Sequence, residues 1–478
     1  MTSNTPAPDA QPPKKPHPGQ QPPAVELLER QPLLTLWGRK VWALPATFHA
    51  DELLDLADFI RTYWTGPEAI DGYPVLLPIA ADEDAETVLT QVGMRALEFH
   101  PDGPPAHWDH AALLTRTSGS TAQDGKIVCL SREALRASIQ GTWNFLAQSR
   151  DDSTPVNQVE THWVLPLSPA HIAGLLVLAR ATLAEEMGWG ESHLWAICEG
   201  EFTQSFINTT NDLTPGPAFT SLVPTQLKRL LDTEEGTKAA QRYEMILLGG
   251  APATSELLEK AANLGVKVTT TYGASETAGG CFYNGHPIPT EPATLASLDP
   301  NTGRIAITGP TLFCGYLTVE DDLYEDEHGR TWWLTSDLGE AGPPLKVTGR
   351  YDYLINTGGL KIDPALVEKA LTSHPEIQDA LVCPVADEEW GQMVCALIVP
   401  ELEELPEGME STAYSAKTWA ASEEEIESLN EHVRQLVDAP AVPKHYLWAG
   451  SIPLKGIGKP DRNRASQYLA QSYQNRQH

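Results

Sequence analysis

Short apolar runs alternate along most of this chain with longer stretches whose apolar positions recur every three to four residues. The runs AALLTRT (111–117), THWVLPL (161–167), HLWAICE (193–199), EMILLGG (244–250) and VKVTTTYG (266–273) read as buried strands. Between them, SREALRASIQGTWNFLAQS (131–149) and PTQLKRLLDT (224–233) carry helical periodicity. Strands alternating with helices predict an α/β fold with parallel-rich sheets covered on both faces. After Arg350 the pattern changes. Short strands surround one helix, PALVEKALTSH (364–374), and continue into DALVCPV and VCALIVP, which predicts a smaller α+β lobe.

The ends of the chain follow another logic. Residues 1–25 hold eight prolines and almost no large apolar side chain, too little to offset the entropy of ordering, so a disordered tail is expected. The resulting division is 1–25 tail, 26–350 large domain and 351–478 small domain. Within the last, residues 401–431 carry ten acids and one base, Lys417, which predicts a solvated loop or acidic helix.

Composition narrows the function. With 33 Lys+Arg against 64 Asp+Glu the formal charge is −31, which excludes a general nucleic-acid binder that needs a basic face. The longest apolar run, Ile172 to Ala179, is about half of what spans a bilayer, and no membrane span is expected. The N-terminus has no apolar stretch behind its charges, so it does not read as a secretory signal. The six cysteines are scattered, without CxxC pairs or metal-ligand spacing, and read as free core thiols. Together these features predict a soluble cytoplasmic protein.

Chemistry concentrates in five segments. Thr115 to Lys126 (TRTSGSTAQDGK) is a hydroxyl- and glycine-rich loop between two strands, ending in a lysine. Hydroxyls and bare backbone N–H groups suit phosphate oxygens, although the GxxxxGK[ST] spacing is absent. Leu248-Gly-Gly-Ala-Pro252 ends an apolar strand, with Thr254 placed to cap the helix that follows. Thr271-Tyr-Gly-Ala-Ser-Glu-Thr277 ends the next strand and offers a stacking ring, close backbone approach, a hydroxyl and a hard oxygen ligand suited to magnesium. Ligands bind beyond such strand ends in open parallel sheets. Trp332–Gly339 and Lys346–Ile362 bring Asp337 and Arg350, fit to accept from and donate to a ribose. Pro453–Arg462 ends the chain with Lys459 on a glycine-flanked loop. Taken singly, each segment is also an ordinary turn or surface loop.

In this order and at this spacing, from about Leu113 to Arg464, the segments resemble the adenylate-forming superfamily of acyl- and aryl-CoA synthetases, luciferases and nonribosomal adenylation domains. The resemblance implies that Thr117, Ser118, Gly119, Ser120, Thr121 and Lys126 hold the phosphates of ATP. It places Gly249, Gly250 and Ala251 as a wall between adenine and acyl group. Tyr272 and Gly273 fall beside both, Ser275 near the α-phosphate and Glu276 on magnesium. Asp337 and Arg350 match the ribose pair, Asp352 the hinge between the two domains, and Lys459 the lysine that drives adenylation. The loop departs from the usual T-S-G-S-T-G-x-P-K. Ala122 replaces a glycine, the proline is missing and Lys126 lies one residue late. Asn356 and Lys361 stand where lysine and arginine are common.

Within the superfamily, LPLSPAHIAGLLVLAR (165–180), TSLVPTQLKRLL (220–231) and TTTYGASETAGGCFYNGHPI (269–288) look like the branch of o-succinylbenzoate–CoA ligases of menaquinone biosynthesis. That likeness puts His171 at the border of the acyl and thioester pocket and makes Thr277, Gly279 and Gly280, with Gly250 and Tyr272, pocket-lining. The implied catalytic residues are Lys459, His171 and Glu276. ATP, magnesium and coenzyme A are the implied cofactor and co-substrates, and a small aromatic carboxylic acid is the implied partner. A homodimer is left open. So are another aryl- or fatty-acyl-CoA ligase, an adenylation enzyme loading a carrier protein, and a degenerate non-catalytic nucleotide binder.

Overall fold

A computed structural model of the protein describes residues 31–65, 73–117, 125–150, 154–197, 200–340, 342–401, 417–455 and 459–477. The Pro-rich tail, most of the phosphate loop and much of the acidic stretch lie outside these.

The fold is mixed α/β, a large domain of sheets and helices followed by a smaller one. Its central seven-stranded sheet runs in the order His286–Pro287, Gly279–Tyr283, Val268–Ala274, Met245–Leu248, Ala218–Leu222, Thr161–Leu165, Ser192–Ala196. The last five strands are parallel, and Gly279–Tyr283 returns antiparallel from Val268–Ala274. Thr161–Leu165 and Ala218–Leu222 are buried throughout, as expected of strands covered on both faces. A second, six-stranded sheet combines the parallel strands Arg39–Pro45, Val75–Ile79 and Ala111–Arg116 with antiparallel Leu33–Leu36, Ile127–Ser131 and Gly315–Tyr316.

The parallel-rich sheets expected from the pattern are accompanied by one of the other kind. Apart from Gly315–Tyr316, the strands between Leu295 and Arg350 form a five-stranded sheet that is antiparallel throughout. Its strands are joined without intervening helices, for example through Gly303 (φ +72°) and Gly329 (φ +73°), and a parallel pair needs a longer crossover. Helices formed where the pattern placed them, at Arg132–Ser149, Pro224–Leu231 and Pro364–Thr372. Thr254 caps Ser255–Asn263 by accepting from the Leu257 N–H.

Apolar clusters among the described residues fall either at or before Leu345 or at or after Ile355; none mixes the two groups. The second group packs around the long hairpin Ile377–Asp387/Gly391–Pro400. From the acidic stretch, Glu423–Arg434 is a helix with a Ser422/Glu425 capping box and three glutamates in its first turn, matching the macrodipole. No helix among the described residues is long and apolar enough to cross a membrane. Five cysteines are free thiols; Cys198 lies outside the described residues.

Candidate active site

The site is built at the carboxyl ends of two adjacent parallel strands, Met245–Leu248 and Val268–Ala274. Gly249 follows the first. A side chain there would collide with Thr271 Oγ1, which donates to Leu248 O at 3.2 Å, so glycine is needed for the two strand ends to meet. Gly250 follows with φ +82°, and Ala251 is half-buried. At the second strand end, a Cβ on Gly273 would strike the carbonyl of Gly279, which fixes the sharp return of the chain. Ser275–Thr277 form a single 3₁₀ turn ending at Ala278 in the left-handed region (φ 46°). Thr277 is fully buried. Its hydroxyl accepts from Ala274 N at 2.9 Å and lies 2.7 Å from Gly279 O, so it shapes the turn from inside.

Two bonded sets leave this turn. The Tyr272 hydroxyl donates to Asp337 Oδ2 at 2.9 Å. Asp337 and Arg350 stand opposite one another on paired antiparallel strands, and Arg350 Nη1 donates to Asp337 Oδ1 at 3.1 Å. The same guanidinium grips Asp352 through Nε at 2.9 Å and Nη2 at 2.6 Å. It also stacks on Tyr353, 5.0 Å from the ring centre, whose ring meets Arg462 of the C-terminal helix at 4.8 Å. One arginine thus bonds Asp337 and Asp352 together. Burial opposes its charge, but the Asp352 hydrogen bonds and the Asp337 charge outweigh that and hold its pKa up. Burial, then the Asp337 charge, pushes the Tyr272 phenol far above its ordinary range, so it remains a donor.

The second set centres on Glu276, only 7% exposed. Tyr316 donates to its Oε1 at 2.7 Å, and Phe313 N–H donates to its backbone carbonyl at 2.8 Å. Lys126 Nζ lies 3.4 Å from the Tyr316 hydroxyl and 4.4 Å above its ring. Thr117 and Lys126 close the root of the phosphate loop: Thr117 N donates to Lys126 O at 3.0 Å, and Lys126 N to Thr117 Oγ1 at 3.1 Å. Ser118, Gly119, Ser120 and Thr121 lie outside the described residues.

His171 occupies the N-cap position of Ile172–Thr182, extended and half-buried, with no side-chain capping bond. The glycine of its HIAG segment is forced, because a Cβ on Gly174 would collide with the carbonyls of Leu167 and Ser168. Nearby, Arg116 holds Glu83 in a two-point pair, which lowers the Glu83 pKa, with His171 adding a smaller contribution. Gly279 (φ +81°) packs on the same helix: a Cβ there would lie 2.7 Å from Leu176 Cδ1. Gly280 is half-buried beside Thr271 and Tyr283. Lys459 lies in a short strand whose register pairs it with Lys455, across residues outside the description.

Three participants carry no motif. Tyr316 and the Arg116–Glu83 pair are visible only in space. The third is Arg180, one helical turn beyond Leu176 and 4% exposed, with an Nε that has no hydrogen-bond partner. It lies over the Trp163 ring at 5.5 Å, and burial lowers its pKa, with Tyr283 opposing. No carboxylate among the described residues pairs with it. An arginine ending an apolar helix was the signal available, and it reads equally well as a surface residue.

Strand ends that gather an aromatic, an Asp/Arg pair and a buried glutamate within an α/β fold point to an enzyme that uses a nucleotide. Residues 67–322 match the AMP-binding enzyme family and residues 366–459 its C-terminal domain; the chain belongs to that family. Among its relatives is the probable 2-succinylbenzoate–CoA ligase of Mycobacterium tuberculosis, 34% identical over 74% of this chain and 83% of the relative. The 2-succinylbenzoate–CoA ligase of Escherichia coli is 26% identical over 67% of this chain and 66% of that one. Similar folds are seen in ATP-bound MatB from Rhodopseudomonas palustris (TM-score 0.67, 18% identity, 94% and 92% of the two chains). The o-succinylbenzoate CoA synthetase of Bacillus subtilis, in complex with its acyl-adenylate intermediate, gives a TM-score of 0.62 at 18% identity, over 92% and 90%.

Proposed function

We propose that this chain is an ATP-dependent acid–CoA ligase that makes an acyl-adenylate and then a CoA thioester, with o-succinylbenzoate as the acid. The observation that carries this is the bonded series Tyr272–Asp337–Arg350–Asp352, which ties a stacking ring and a ribose acceptor to the start of the small domain. The substrate rests on the named activity of the relatives and on Arg180. Buried cations are normally paired, and o-succinylbenzoate carries a second carboxylate on its ring that Arg180 would receive beneath the Thr277–Cys281 loop.

In the first half-reaction the succinyl carboxylate attacks the α-phosphorus of ATP and pyrophosphate leaves. The protein orients the two and neutralises charge rather than bonding covalently. Asp337 accepts from the ribose hydroxyls, Tyr272 stacks on adenine beside Gly249–Ala251, and Lys126 and Thr117 anchor the loop on the phosphates. Lys459 bridges the attacking carboxylate and the phosphate as a compact charge. Glu276, a hard and nearly buried carboxylate with one neutral donor on it among the described residues, fits magnesium. That ion, when bound, supplies charge neutralisation for the phosphates. The domain 351–478 then turns about Asp352, withdrawing Lys459 and opening a path past His171 for the CoA thiol. Reduced thiols, ATP and CoA together suit the cytoplasm.

The deciding experiment incubates the full chain with ATP, magnesium, CoA and o-succinylbenzoate, with mass detection of the thioester and benzoate and octanoate as comparison acids. A thioester of o-succinylbenzoate formed in preference supports the proposal. Preference for another acid removes the substrate, and absence of any ATP-dependent AMP release removes the enzyme.

A further inference from the structure

We propose that Tyr316 is the positioning residue that sets both ends of the triphosphate site, holding Glu276 for its metal with its hydroxyl and seating Lys126 on its ring. This deepens the nucleotide-site reading above and rests on it. Lys126 and Glu276 come from segments far apart in the chain, and Tyr316 touches both: 2.7 Å from its hydroxyl to Glu276 Oε1, and 4.4 Å from its ring centre to Lys126 Nζ. A carboxylate with one oxygen taken by a neutral donor leaves the other oxygen for a hard cation. A lysine over an aromatic face is held without losing its positive charge to a counter-ion. Asp322 is the one carboxylate paired with Lys126 among the described residues, at a loose 4.0 Å.

The tyrosine is itself held tightly. Its strand, Gly315–Tyr316, pairs with Ile127–Ser131, and Leu317 N donates to Ile127 O at 2.8 Å, so the backbones of the tyrosine and the lysine are joined. Its N–H donates to Asp321 Oδ1. Gly315 has φ +157° and lies against His107 and Asp321, leaving no room for a side chain. Phe313, whose ring lies tilted at 55° to that of Tyr316 with centres 4.8 Å apart, donates its N–H to the Glu276 carbonyl, so a single segment grips Glu276 at backbone and side chain alike. This explains how a lysine one residue later than the usual loop spacing still finds a fixed place: the ring, not the loop length, sets it.

The test is equilibrium binding, by calorimetry on the full chain, of α,β-methylene-ATP titrated with Mg²⁺. Tyr316→Phe keeps the buried ring and loses the hydroxyl. It should need about tenfold more Mg²⁺ for half-effect, the scale of one hydrogen bond to a charged group, while metal-free binding changes far less, because Lys126 keeps the ring and loses only a 3.4 Å contact to the hydroxyl. Tyr316→Leu should weaken metal-free binding as well, and Lys126→Met should then add nothing in the Leu background though it weakens the parent. An unchanged Mg²⁺ requirement in the Phe variant, or losses that simply add in the double variant, overturns the proposal while leaving the nucleotide site standing. Failure of the parent protein to bind the analogue with Mg²⁺ overturns both. Should the Leu variant not fold, Phe in place of Tyr316, with and without Lys126→Met, decides: Lys126→Met must weaken metal-free binding in both backgrounds.

Discussion

The Tyr272 hydroxyl donates to Asp337 Oδ2 at 2.9 Å, tethering the ring that would stack on adenine to the carboxylate that would accept from ribose. A carboxylate has acceptor sites to spare, so the tether and a ribose hydroxyl can share Asp337.

Removing that tether should loosen the nucleotide without removing its contacts. Tyr272→Phe is expected to raise the KM for ATP about tenfold, with a smaller change in kcat. Asp337→Ala leaves Arg350 and Tyr272 without their shared partner and should cost at least a further tenfold. It should also abolish discrimination between ATP and 2′-deoxy-ATP. Steady-state kinetics with both nucleotides checks this; undiminished discrimination in the Ala variant would remove Asp337 from the ribose site.

The two half-reactions should separate at the small domain. Lys459→Ala is expected to lose adenylate formation by at least about a thousandfold, the scale of a lost charge on a transition state, yet to keep thioester formation from supplied acyl-adenylate. Asp352→Pro should do the reverse, since proline fixes φ and blocks rotation. Arg350 holds Asp352 at 2.6 and 2.9 Å, so this turn is ordered before any rotation begins. Equal loss of both steps in either variant contradicts the division of labour.

Arg180 should decide which acid is used. Arg180→Leu removes a buried cation that has no carboxylate partner among the described residues, so the fold should survive; o-succinylbenzoate should lose at least about a hundredfold in kcat/KM, in line with leaving a charged group unpaired. The same acid without its ring carboxylate, 3-benzoylpropionate, should lose little. Equal losses for both acids would make Arg180 a packing residue.

Acid should release the Glu83–Arg116 pair at the root of the phosphate loop. Hydrogen bonds from Arg116 lower the Glu83 pKa below its ordinary 4.5, so the stabilisation is fully present above that pH and is lost as pH falls through the folded value. The difference in Tm between the parent and Glu83→Gln should therefore be largest near neutrality and shrink below about pH 4. A difference that does not change with pH would show that the glutamate contributes only by packing.

Much of this protein was legible in one dimension because the signals are local. Strand and helix periods, the Thr254 cap and the glycines at 174 and 273 express steric and hydrogen-bonding rules acting over a few residues. A carboxyl strand end is recognisable wherever an apolar run meets such a turn, so Tyr272 and Glu276 could be named before their neighbours were known, while Asp337 and Arg350 were named by the order of whole segments and the family they resemble. What tertiary structure alone decided are the partnerships. Tyr272 meets Asp337 across 65 positions, Tyr316 meets Glu276 across 40 and Lys126 meets Tyr316 across 190. The antiparallel sheet that delivers Asp337, and the burial of an ordinary-looking Arg180 with no carboxylate partner among the described residues, belong to the same class. Each depends on strand register and on which faces pack together, and these are settled by the summed burial of the whole chain rather than by any segment of it.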